Sequence, residues 1–405
     1  MLSAALLLQA QLLVSPSGPY RSLGEAVRAA PPGSTITVSA GVYREPTVQV
    51  DRAVTIAGEQ GAIMDGEGER GLIEIVVPGV TVRGLNFRNT GTSYREDRAA
   101  VRVIETGDCT IADNRFEDTF FAVYLQGSRN CTVTGNRIRG VTAREATTGN
   151  GIHSWGSSGI VIRGNTVSGH RDGIYLEFSR HSTVDDNLSE GNRRYGLHFM
   201  YSDSSAYAGN TFRENGAGVA VMFSRLITMT RNSFSGNRGP AAYGLLLKDI
   251  ADARLEQNTF SDNTTALVAD GASRIQALGN RFSRNGRAVR LLASSDDGRF
   301  SGNRFEGNSF DVVVNSRSIR ADFTGNWWDA YRGWDLDRDG VGDVPHHPVR
   351  LFTLLVERSE PALLLQRTLM VRLMDAAERA MPVLTPTGIV DAAPLVRPTG
   401  PGETR

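Results

Sequence analysis

An asparagine that returns at a nearly fixed interval limits what this chain can fold into more than any other feature does. Asn86, Asn114, Asn136, Asn165, Asn187, Asn210, Asn232, Asn258, Asn280, Asn303 and Asn326 follow one another at spacings of mostly 22 or 23 residues, and most are followed two places on by an apolar or aromatic residue. From Asn187 onward a second Asn comes five residues later, at 192, 215, 237, 263, 285 and 308. A period in the low twenties, made of short runs rich in Val, Ile and Phe with two-residue alternation, marks stacked strands rather than stacked helices. Amides at one place in every turn can bond along such a stack. The expected fold is an all-β solenoid, a right-handed parallel β-helix of about ten coils, each rising roughly 4.8 Å.

Aligning the coils separates inside from outside. The column Val101, Val123, Ile152, Ile174, Leu197, Val219, Leu245, Leu267, Val289 and Val312 is apolar, and so, almost throughout, is the column two places on. Both therefore face the core. The longer spacings read as surface loops inserted at 141–150 and 238–243, where a solenoid often places a binding surface.

The ends need covers, because an open coil exposes unpaired strand edges. Residues 1–14, mostly Ala and Leu, look like the core of a secretory leader cleaved after Ala10, although no Lys or Arg precedes Arg21; a plain buried strand or helix is the competing reading. Residues 15–326 would form the β-helix, with a short amphipathic helix as N-terminal cap. An acidic loop follows at 327–350, then a helical segment at 351–384 that caps the last coil or docks on a partner, then a flexible tail rich in Pro, Gly and Thr at 385–405. Lys plus Arg balance Asp plus Glu at 44 each, so no global field speaks for nucleic acid.

Function is sought on outward positions. In the middle coils these are His153, Trp155, Tyr175, Glu177, His198, Met200 and Met222, with His170 and His181 in flanking turns. Adjacent coils would bring Met200 and Met222 to about 5 Å apart at the backbone. Thioether and imidazole suit Cu(I) and discriminate against Mg or Ca. The same residues also suit a protein-docking surface. A carbohydrate lyase, epimerase or glycosidase is the reference alternative for this fold. Its carboxylate pair would have to be Glu177 and Asp270, which four coil rises set roughly 19 Å apart, too far for a catalytic pair. Cys109 and Cys131 each lie five residues before a ladder Asn, so they stack on neighbouring coils as a disulfide or as two buried thiols. Asp335, Asp337, Asp339 and Asp343 resemble the first half of a calcium loop, with His346 where the bidentate Glu would stand; a hydrogen-bonded acidic turn reads equally well.

Four stretches carry a family resemblance: "GHRDGIYLEFSRHS", "RYGLHFMYS", "NGAGVAVMFS" and "NWWDAYRGWDLDRDGVGDVPHHPVRLF". They are similar to the periplasmic maturation proteins of nitrous oxide reductase, the NosD family, and the similarity runs from "SPSGPYRSLGEAV" to "LMDAAERAMPVLTP". The resemblance implies an exported, non-enzymatic subunit held at the inner membrane through its partners. Those partners would be an ABC-type ATPase, a membrane permease, a lipoprotein copper chaperone and the reductase whose copper–sulfide centre is assembled. On that reading Met200, Met222 and His198 form a Cu(I) transfer face, and His153, His170 and His181 are weaker ligand candidates. Trp155, Tyr175, Glu177, Phe178, Tyr201 and Phe223 would contact partners, and the helix within 361–381 would dock on the permease.

Overall fold

The computed structural model describes residues 10–93, 96–141, 148–316, 319–365, 368–381 and 389–398. It divides into two compact units, residues 1–194 and 195–405. Each is a right-handed parallel β-helix in which three short strands per coil pair with their counterparts in the next coil, forming three sheets. The turns number about 13, more than the asparagine count suggests.

The first unit shows why. Strands Gln11–Val14, Thr35–Val38 and Thr55–Gly58 precede Thr81–Arg83 in one sheet. Three coils thus stand before the repeat becomes legible. The first of them, Gln11–Val14, lies within the stretch expected to be a leader; it pairs residue for residue with Thr35–Val38. Residues 1–9 lie outside the described residues. The expected N-terminal cap is the helix Leu23–Ala29, which buries Leu23, Ala26 and Val27. The Ser22 hydroxyl accepts the Glu25 N–H at 3.2 Å, and Glu45 accepts those of Leu23 and Gly24 at 2.9 and 3.0 Å. These bonds satisfy donors that a helix start leaves free.

The ladder explains why the repeat is asparagine. Asn136 Nδ2 donates to Asn165 Oδ1 at 3.0 Å and to the Ile111 carbonyl at 2.9 Å, while its own Oδ1 accepts from Asn114 Nδ2 and from the Asn114 backbone N–H. A short side chain with both a donor and an acceptor is needed; Asp has no donor and Gln is longer. Asn86 falls one place out of register: it pairs with Arg115, and Leu85 takes the ladder position. In the second unit the ladder runs from Asn210 to Asn326, beside a ring stack from Phe212 through Phe234, Phe260, Phe282 and Phe305 to Trp328.

The C-terminal region departs from expectation. The helix Leu351–Arg358 lies on the outer side of the strand Phe310–Val314, where Phe352, Val356 and Val371 pack on Phe310 and Val313. The nearly buried Glu357 carboxylate receives Arg290 at 2.8 and 3.0 Å. The far end of the coil stack is met instead by residues 389–398, part of the segment expected to be a flexible tail. There the fully buried Asp391 accepts N–H groups of Gly325, Asn326 and the Trp328 indole, all at 2.9 Å. Asp391 stands where the next ladder Asn would stand. A carboxylate suffices, because the last rung needs an acceptor only. Composition marks this stretch as disordered, yet the Asp391 carboxylate, the buried Ile389 and backbone bridges to Trp327, Val341 and His346 hold it.

Candidate functional site

Both inward columns are buried as the alternation requires, from Val101 to Val314. The outward columns lie in register as expected, but they are not equally open. In the first unit Tyr124, His153 and Tyr175 are paired across adjacent coils and stack ring on ring, at 4.9 and 4.8 Å. Phe121 leans on His153 at 5.5 Å. The stack leaves His153 and Tyr175 only 8% and 7% exposed. His153 Nε2 lies 3.6 Å from a Glu177 carboxylate oxygen. Burial, followed by the charges of Glu177 and Asp172, holds the Tyr175 hydroxyl well above its ordinary range, and burial pushes Tyr124 to about 12. These phenols stay protonated. Asp172, wholly buried, takes Arg194 through both oxygens at 2.9 and 2.8 Å. Trp155 remains open, 42% exposed.

The other imidazoles separate by environment. His170 is fully buried and pushed down to about 4 by burial. Its backbone N–H bonds Asn192 Oδ1 at 3.1 Å, so it occupies the second ladder's column as a core residue rather than a surface ligand. His181 is an exposed turn residue at φ 50°. In the second unit His198 faces outward yet is 4% exposed, beside the Tyr195 ring at 4.9 Å.

The open part of the second unit lies one step further along. Met200 and Met222 are direct register partners on adjacent strands, Tyr195–Met200 and Ala217–Met222, and both are partly exposed. Next to them Tyr201 and Phe223 stack at 5.0 Å, 41% and 38% exposed, both at φ 51°. The left-handed region costs a bulky residue roughly 1–2 kcal/mol. Elsewhere in this unit the position is filled by Asp249 and Gly271, which adopt it more cheaply. Phe178 repeats the feature in the first unit, at φ 51° and exposed. Behind the rings, Ser202 and Ser224 donate to the carbonyls of Met200 and Met222 at 3.0 and 2.9 Å, fixing the corner. Sequence reasoning missed Leu226, exposed at φ 57°. Its signal was legible: other coils place Asp108, Asn130, Ser204 and Asp252 there, also at positive φ.

Cys109 and Cys131 are joined as a buried disulfide. In the acidic loop, Asp335, Asp337 and Asp339 bring carboxylate oxygens within 4.8 Å of one another. Asp343 turns away to accept the Leu336 N–H at 2.7 Å. His346 is packed on Trp328 at 5.0 Å and pushed down to about 3 by burial, with Arg350 and His347 adding to it. Three carboxylates are part of the six to eight oxygens calcium takes, and neither Asp343 nor His346 joins their group. The expected calcium loop is therefore incomplete. Asp270 is held by Lys248 at 2.8 Å, which with Ser294 lowers its carboxyl below the usual range; this suits a structural ion pair, not a proton shuttle.

Among described residues, no helix is long and apolar enough to cross a membrane. The mannuronan C-5 epimerase AlgE6 A-module of Azotobacter vinelandii shares the fold with TM-score 0.53 at 16% identity, covering 76% of this chain and 94% of that one. A family model described as "Periplasmic copper-binding protein (NosD)" matches residues 139–333, and one described as a protein of unknown function (DUF1565) matches 14–233. A protein of Stutzerimonas stutzeri named "Probable ABC transporter binding protein NosD" is 29% identical over 86% of this chain and 84% of its own length. Its counterpart of the same name in Pseudomonas aeruginosa is 35% identical over 89% of this chain and 88% of its own. Likeness at that level along both chains places this protein in the NosD family.

Proposed function

We propose that this chain is a periplasmic, non-enzymatic copper-handling subunit that serves assembly of the copper–sulfide centre of nitrous oxide reductase. The observation that carries the reading is the register pair Met200 and Met222, with its strained aromatic corner, in a member of a family described as copper-binding. Two thioethers on neighbouring strands make a soft, shallow site from which Cu(I) can be passed on. His198 lies behind them as a support. Tyr201 and Phe223, and in the first unit Trp155 and Phe178, with Tyr175 and Glu177 behind, offer contacts to a copper chaperone or to the reductase.

The association with an ABC-type ATPase and its permease follows the names of the relatives. For that contact the helical segment is the natural element, since Leu364, Leu369 and Leu373 are 87%, 71% and 61% exposed. The test is Cu(I) titration of the full chain against a competing chelator. Met200→Ala with Met222→Ala is expected to remove one bound equivalent; an unchanged count sinks the copper reading. Leu369→Glu with Leu373→Glu should abolish co-purification with the permease, and intact co-purification contradicts the docking.

A further inference from the structure

The chain has eight methionines, and their placement is uneven. Met64 and Met229 are fully buried in the solenoid core, and Met200 and Met222 form the outward pair. The three remaining described ones, Met370, Met374 and Met381, lie in or directly after the single helix Leu369–Ala380. Met370 is 66% and Met381 54% exposed, with Met374 at the rim.

Helical spacing puts the three within about 40° of one another around the axis, in one row. The packing side of the helix adjoins the row at Met374: Val371 is buried against Phe352 and Val356, and Glu378 accepts the Leu351 N–H at 3.0 Å. These two lie about 60° and 40° around the axis from Met374. The exposed Leu369 and Leu373 form a separate stripe, about 100° away from the methionine row. The thioethers of Met370 and Met381 are therefore needed neither for seating the helix nor for its leucine face, and Met374 stands half-buried at the edge of the packing side. Residues four apart on a helix have Cβ atoms about 6 Å apart, and the three rotatable bonds of Met let both sulfurs turn toward one point.

We propose that Met370 and Met374 form a second soft-metal site that takes one monovalent d10 cation, Cu(I) or its analogue Ag(I), with Met381 continuing the row. Thioether sulfur has no proton to lose and is a poor ligand for hard cations, so the site selects by softness. That the physiological ion is copper rests on the function proposed above; the binding itself does not.

The test uses the full chain carrying 13C-labelled methionine methyls, assigned by single Met→Leu substitutions and titrated with Ag(I). Leu keeps the apolar volume and removes the sulfur, so a site that is only a docking surface tolerates it. The methyls of Met370 and Met374 should shift together, saturating at one equivalent, and should still do so when Met200 and Met222 are both Leu. Met370→Leu with Met374→Leu should lower the bound Ag(I) by one equivalent. Unshifted helix methyls, or an unchanged count in that variant, overturn the proposal. Shifts at the helix with none at Met200 and Met222 uphold this site and remove the outward copper face.

Discussion

The asparagine ladder and the Tyr201–Phe223 corner belong to the same coils of the second unit and follow opposite rules. Along the ladder, Asn232, Asn258 and Asn280 each make the same bonds to the coils on either side, at 2.9–3.0 Å. The amides there are all paired, and the left-handed residue before each Asn, at Arg231, Gln257 and Gly279, carries a polar side chain or none and recurs as part of the repeat. At the corner, apolar side chains stand in solvent on left-handed backbone that Gly or Asp would adopt more cheaply. A solenoid repeats what its stability requires. Where it departs from the repeat at a cost, the departure points to function.

Three substitutions probe this contrast, in order of expected effect. Asn258→Ala removes the acceptor for both the backbone N–H and the amide of Asn232 and the donor to Met229 and Asn280. With buried groups left unpaired, unfolding in urea should show a loss of about 3–4 kcal/mol. A loss under about 1 kcal/mol would mean the ladder is ornament rather than support.

His170 tests the ladder where it is broken. Burial lowers its imidazole to about 4 from 6.5, so the unfolded chain takes up a proton at higher pH than the folded one. The stability this contributes is complete above pH 6.5 and is lost as pH falls toward 4, by up to about 3 kcal/mol. His346, lowered to about 3, adds in the same direction. His170→Asn restores the residue that later coils carry, and it should flatten the acid limb of a stability–pH curve by about 2–3 kcal/mol. An unaltered limb would contradict this account of His170.

Phe223→Gly should change stability least. Relief of the left-handed backbone offsets the lost stacking on Tyr201, leaving a net change under about 1 kcal/mol. Binding of the copper chaperone or reductase should nevertheless fall at least tenfold, read by surface-immobilised titration. Retained binding would strip the corner of its role.

The inner columns were legible because a period of two and a period of 22 are both set by backbone geometry. The first three coils were not, since strands such as Thr35–Val38 carry no ladder Asn. Periodicity also gives the direction of a side chain and not its cover. His153 and His198 do face outward, but rings cover them: those of Tyr124 and Tyr175 in adjacent coils for His153, and that of Tyr195 on the same strand for His198. Asp391 was illegible for a different reason: its carboxylate, accepting three N–H donors from distant residues, and backbone bridges to equally distant residues hold a segment whose composition alone denotes disorder.

The central claim is that Met200 and Met222 together hold Cu(I). Copper K-edge X-ray absorption tests it most directly, on full chain bearing Met370→Leu and Met374→Leu and loaded with one equivalent of Cu(I). The account predicts two sulfur scatterers, both lost when Met200 and Met222 are also replaced by Leu. A first shell of nitrogen and oxygen alone, unchanged by those replacements, would contradict it.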